Sequence, residues 1–187
     1  MRRLLTGTVL LCFMAAPWAA DPATAAGTYS QDAVKAAYLY RFTDYVGWPD
    51  AWEAGAPFDI AVFGAPGVAR ELRHLLASRT IKNQAARVRE ITNIQDVGSP
   101  RMLYVGGGHR DFLRRAIAAN AGRSILWVTD EEGALESGSI LNFLTVDHRV
   151  RFEVSLTAAD RANLSISSEL LSVAARVNGE RQRVHAS

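Results

Sequence analysis

Three short apolar runs, "FDIAVFG" (58–64), "RMLYVGG" (101–107) and "SILWVTD" (124–130), are separated by stretches of helical spacing. That alternation constrains the fold more than any other feature of the chain. Runs this short that are apolar at nearly every position suit strands covered on both faces. After the first run, Ala65-Pro66-Gly67 turns into a helix expected over 68–78, with Leu72, Leu75 and Leu76 inward. A second helix is expected over 110–120, carrying Phe112, Leu113, Ala116 and Ile117 inward. "ARVREI" (86–91) alternates and reads as a further strand. Strands alternating with helices predict a single α/β domain, with a largely parallel central sheet and helices on both faces.

The stretch "SGSILNFLTVDHRVRFEVSL" (137–156) breaks the rhythm, because it holds two strands and no room for a helix between them. With Asp147-His148 as a two-residue turn, Phe143 faces Phe152 and Leu141 faces Val154. On the other face Asn142 meets Glu153 and Leu144 meets Arg151. One apolar and one mixed polar face is what a C-terminal antiparallel hairpin requires. Thr157-Ala-Ala-Asp160 resembles a capping box opening a short helix, and "ISSELLSVAARV" (166–177) reads as a closing helix with Leu170, Leu171 and Ala174 at core spacing. The residues after Val177 are polar, and 178–187 is expected to be a flexible tail.

"VKAAYLYRFTDYVGWPD" (34–50) opens the domain. Ser30 can cap a helix there, with Asp32 in the first turn where the helix dipole favours an anion. Val34, Tyr38, Phe42, Tyr45 and Val46 recur at helical spacing and predict one buried face, with Gly47 and Pro49 ending the helix. Lys35, Arg41 and Asp44 interrupt any membrane-like hydrophobicity. Trp48 and Trp52, beyond the helix end, are the better candidates for exposure and partner contact, since Trp is enriched at binding hot spots.

Ahead of this, Arg2 and Arg3 precede an apolar run over 4–16, and Ala23-Thr24-Ala25 offers small residues at the positions a signal peptidase inspects. The expectation is a signal peptide over 1–26, a domain over 27–177 and export from the cytoplasm. Roughly 20 apolar residues would be needed to span a bilayer, and Pro17 and Asp21 interrupt sooner. Removing Arg2, Arg3 and Asp21 brings the formal charge from +2 to +1. With no basic run, nucleic acid is not an expected partner. Cys12 is the only cysteine and would leave with the signal peptide, so neither disulfides nor thiol chemistry is expected in the mature chain.

Motifs that carry chemistry are absent. There is no G-x-S-x-G, H-E-x-x-H or C-x-x-C. His74, His109, His148 and His185 are scattered, so no metal is expected. "GGGH" (106–109) sits where a phosphate loop would sit but continues into Asp111, which repels phosphate, and reads as a flexible turn. "TDEEG" (129–133) lacks the alternating ligand spacing of a calcium loop and reads as a solvated turn. Asn142, Arg151 and Glu153 form a polar face with no nucleophile near them, which suits a structural cluster or a partner-facing patch better than catalysis.

Two segments, "VKAAYLYRFTDYVGWP" and "SGSILNFLTVDHRVRFEVSLTAADRANLSISSELLSVAARV", resemble in order the opening helix and the closing strand pair and helices of the YfiR-type family of periplasmic regulators. The resemblance runs over roughly 30–177. It implies a dimeric, non-enzymatic protein without cofactor that binds the periplasmic portion of an inner-membrane diguanylate cyclase and lowers cyclic di-GMP signalling and biofilm formation. A sensor kinase is the other partner class it leaves open. The family's strand asparagine corresponds to Asn142, and its Arg-Phe-Glu strand to Arg151, Phe152 and Glu153. The family's frequent cysteines have no counterpart here, so redox regulation is not implied. The alternative function is a periplasmic module that binds a small molecule and relays it to a membrane sensor. Candidate partner-contact residues are Trp48, Trp52, Asn142, Arg151 and Glu153.

Overall fold

The computed structural model describes residues 29–49 and 55–179. The expected signal peptide with Cys12, Trp52, and the tail from residue 180 with His185 lie outside the described residues.

The chain opens with helix α1 (Gln31–Tyr45), whose first turn is closed by Ser30 Oγ accepting from Ala33 N at 3.1 Å. Its deep face is Ala36, Leu39, Phe42 and Thr43 rather than the expected stripe of Val34, Tyr38 and Tyr45, which are half-buried. The helix has no turn at Gly47. The backbone becomes extended at Val46, and β1 (Val46–Gly47) pairs antiparallel with β9 (Ser165–Ile166).

β2 (Phe58–Phe63), α2 (Pro66–Leu76) and β4 (Gln84–Ile91) form the first crossover. A short strand β3 (Thr80–Ile81), not expected from the sequence, folds back on β4 through Lys82-Asn83, both with positive φ. β5 (Met102–Val105), α3 (Arg110–Ala119) and β6 (Leu126–Thr129) form the second crossover. The hairpin follows as β7 (Leu141–Val146) and β8 (Arg149–Ser155), in the expected register, with Asn142 opposite Glu153 and Phe143 opposite Phe152. α4 (Leu156–Arg161) is capped by Ser155, whose Oγ accepts from Ala158 N, and not by Thr157, because the helix begins two residues earlier than the capping-box reading places it.

The closing segment departs most from expectation. Ile166 is in β9, the helix α5 is confined to Ser168–Val173, and the backbone turns extended at Ala174. Arg176 to Asn178 then form β10 (Arg176–Asn178), parallel to β8, with Ala175 N donating to Phe152 O at 2.8 Å. A six-residue helix has little propagation to hold it, and the free edge of β8 offers backbone partners instead.

The main sheet has the order β10-β8-β7-β6-β5-β2-β4-β3. Its pairs are parallel except β7–β8 and β3–β4. The β2-to-β4 and β5-to-β6 crossovers run in opposite directions along it. With right-handed crossovers that puts α2 and α3 on opposite faces, as expected for a covered parallel sheet. Phe63 stacks on Phe112 of α3 at 3.5 Å between ring centroids. On the other face the aromatic run of α1 seats against the hairpin, where Phe42 lies 5.1 Å from Phe152 and 5.7 Å from Phe143.

Candidate functional site

The C-terminal ends of the parallel strands β2, β5 and β6 open on one edge, where ligands bind in open α/β sheets. The loops after β2 and β5 meet there backbone to backbone. Gly106 N donates to Phe63 O at 2.8 Å, and a Cβ on Gly106 would fall 2.6 Å from Gly64 O. Gly106 is therefore buried and held against the loop after β2, while Gly107 and Gly108 are exposed.

A hydrogen-bonded polar network lies beneath this edge. Asn142 is fully buried; its Oδ1 accepts from Thr129 Oγ1 at 2.7 Å and Glu131 N at 3.0 Å, and its Nδ2 donates to Glu153 Oε1 at 2.8 Å. Ser139 Oγ, also buried, sits 2.9 Å from Thr129 Oγ1 and donates to Leu141 O at 2.8 Å. The network pins the loop after β6 to the hairpin.

Asp130 follows Thr129 and pairs with Lys35 of α1, each side chain largely covered. Glu131 pairs with Arg110 at 3.1 Å and only Glu132 is exposed. The solvated-turn reading of these carboxylates is thus corrected for the first two, because the basic residues of α1 and α3 reach over them. The Tyr104 hydroxyl lies near Asp130 without meeting hydrogen-bond geometry. Burial first, then the Asp130 charge and its proximity and the Asp32 charge, push Tyr104 far above the ordinary tyrosine range. It stays protonated at any working pH and cannot serve as a base.

Arg151 is exposed and does not cover Glu153. Glu153 is 3% exposed, and its charged neighbour is Arg176 of β10, at 3.3 Å from Oε2. A polar face on β8 was legible, but its ion pair belongs to a strand read as helix. Asn142 and Glu153 hold the hairpin together, and Arg151 alone of the three reaches solvent. Trp48 is half-buried, its indole edge-on to Phe58 at 5.4 Å and its N–H donating to Arg101 O at 3.3 Å. Lys35, Tyr104, Asp130 and Arg176 were missed as site residues. Their pairings span up to 95 positions of sequence, and no local pattern marks them.

A second feature runs along α1. Val34, Tyr38, Tyr45, Leu75 and Val173 line an apolar groove of about 620 Å³, with Arg41, Glu71 and His74 at its rim. Val173 is 63% exposed. The aromatic stripe that sequence spacing assigned to the core is in part the wall of this groove.

Nothing in the site assembles a catalytic constellation among the described residues. His109 lies edge-on to Phe63 at 5.0 Å, His74 lines the groove and His148 is in the hairpin turn. No group of three or more His, Cys, Asp or Glu side chains converges on a metal position among the described residues. No helix among them is long and apolar enough to cross a membrane. A family model described as YfiR/HmsC-like matches residues 32–175, and no curated protein matches the chain.

Proposed function

The chain belongs to the YfiR/HmsC-like family, and from that premise we propose that it is a periplasmic, non-enzymatic regulator that binds the periplasmic portion of a membrane-bound diguanylate cyclase. Binding one state of the cyclase better than the other holds its cytoplasmic output low, and so lowers cyclic di-GMP and surface attachment. The family match over 32–175 carries this reading. A homodimer, a signal peptide over 1–26 and a sensor kinase as the other partner class belong to the same proposal.

The α1 groove supports contact with a protein partner. Exposed apolar surface rimmed by polar groups marks interaction sites, and Arg41, Glu71 and His74 supply that rim. In this reading the partner surface comprises the groove, Trp48, and Arg151 on the hairpin, and Trp52, outside the described residues, is a further candidate contact. Asn142 and Glu153 act from below by fixing the hairpin that presents Arg151.

The test is Ala37→Arg or Val173→Glu, both at exposed positions on the groove. Each variant is expected to melt within a few degrees of the parent and to lose repression of cyclic di-GMP in cells. Full repression by both variants would remove the groove from the proposal. A second reading, a module that binds a small apolar ligand and relays it to a membrane sensor, is favoured by the same groove, whose volume is in the range of small-molecule sites. It gains if the variants alter signalling while cyclic di-GMP stays constant.

A further inference from the structure

Glu153 is the most deeply buried carboxylate among the described residues, and only half of it is satisfied. Oε1 accepts from Asn142 Nδ2 at 2.8 Å, whereas Oε2 is buried and has no hydrogen-bond partner. Its charged neighbour among the described residues, Arg176, stands at 3.3 Å with its own side chain 66% exposed. A buried carboxylate oxygen held by an ion pair to a largely exposed side chain, with no hydrogen bond, is open to a better partner.

Glu153 lines a cleft of about 420 Å³ between the end of β6, the hairpin and β10. Lys35 and Asp130 on its floor neutralise each other. Arg176 offsets Glu153, and Glu132 stands exposed at the rim, leaving the cleft with an excess of negative charge. Leu144 and Val146, on the same hairpin face as Glu153, form an apolar wall beside these groups. The cleft therefore has a buried carboxylate oxygen beneath Arg176, a second carboxylate at its mouth and hydrocarbon beside them. A metal ion fits poorly, since no three ligating side chains converge among the described residues, and an anion would be repelled.

We infer that this cleft binds a small organic cation, a primary ammonium on a short alkyl chain, with Glu153 Oε2 as its anchor. The ammonium donates a charge-assisted hydrogen bond to Oε2, the methylenes lie along Leu144 and Val146, and a second ammonium, where present, reaches Glu132. Arg176 is the internal competitor: the ligand displaces its guanidinium, which returns to solvent at little cost because it is already largely exposed. This site is separate from the α1 groove and does not depend on the identity of the protein partner.

The probe is putrescine, titrated by NMR and calorimetry into residues 27–187 at physiological salt, with succinate as the anionic control. Saturable binding of one putrescine per chain is expected, and none of succinate. Glu153→Gln keeps an acceptor for Asn142 and is expected to weaken binding by about tenfold or more, equivalent to about 1.4 kcal/mol. Arg176→Ala removes the competitor and is expected to tighten it severalfold. Val146→Trp, at an exposed strand end, fills the cleft and abolishes binding while the fold persists. No saturable binding up to millimolar putrescine overturns the inference. So does binding that Glu153→Gln and Val146→Trp leave unchanged, or that Arg176→Ala weakens.

Discussion

The Asp59 carboxylate, 7% exposed on β2, accepts from Arg87 Nε at 2.9 Å and from Arg89 Nη2 at 2.8 Å, both on the neighbouring strand β4. Arg89 goes on to donate to Asp96 O and Val97 O at 2.9 Å each, tying down the loop before β5. Burial pushes the Asp59 carboxyl up, but the hydrogen bonds and charges of Arg89 and Arg87 outweigh it, and the net shift is downward. A depressed folded value means the stabilisation is complete above the unfolded value of about 3.9 and is lost as pH falls through the folded one. Asp59→Asn is therefore expected to cost about 1.5–3 kcal/mol at neutral pH, measured by urea unfolding, with the difference from the parent shrinking below about pH 4. A constant difference down to acid pH would contradict this account. The same contrast separates the residues of the hairpin face. Asn142→Ala leaves the Glu131 amide and Glu153 Oε1 without their partner at once and removes one of the two contacts of the Thr129 hydroxyl, and is expected to cost on the order of 3 kcal/mol. Arg151→Ala, at an exposed position, is expected to stay within about 0.5 kcal/mol of the parent. Facing of Asn142 and Glu153 was legible because a two-residue turn fixes the whole register. The Glu153–Arg176 and Lys35–Asp130 pairs were not, since nothing local records which distant strand or helix arrives beside a carboxylate.

Strand and helix content was legible where apolar residues recur at helical spacing, as in α2 and α3, or run nearly unbroken, as in β2, β5 and β6. α2 and α3 lie within two residues of the ranges expected from spacing, and β2, β5 and β6 occupy the apolar runs. The missed strands are short elements decided by tertiary pairing. β3 exists because β4 has a free edge, and β10 because β8 has one. A helical spacing over 166–177 cannot reveal that the chain will be drawn into the sheet after Val173. The hairpin turn shows a local cost carried for register. Asp147 and His148 hold φ of 49° and 59°, a left-handed conformation that L side chains resist by about 1–2 kcal/mol per residue. His148→Gly would give the Asp-Gly pair such turns favour. It is expected to raise the melting temperature by a few degrees, about 1 kcal/mol of stability, without changing the fold. A lowered melting temperature would mean that the His148 side chain contributes a contact worth more than the strain.

At the scale of the whole molecule, a covered parallel sheet was legible from the strand–helix alternation, and family membership from two segments at opposite ends of the chain. The fold brings those two segments together. The rings of α1 pack on the hairpin they precede by about a hundred residues, with Tyr38 5.9 Å from Phe143 and 5.7 Å from Phe152. What the alternation could not give is the outer face of α1, because an aromatic stripe at helical spacing has the same pattern whether it meets a core or lines a groove. The proposed role uses that face from the periplasmic side of the membrane. The most direct measurement is cellular cyclic di-GMP in a strain deleted for this gene, compared with the same strain also deleted for the partner cyclase and with one carrying the protein without residues 1–26. The account predicts a rise in the single deletion, no rise in the double deletion, and no restoration by the form retained in the cytoplasm. Unchanged cyclic di-GMP in the single deletion, under conditions where the gene is expressed, would contradict it.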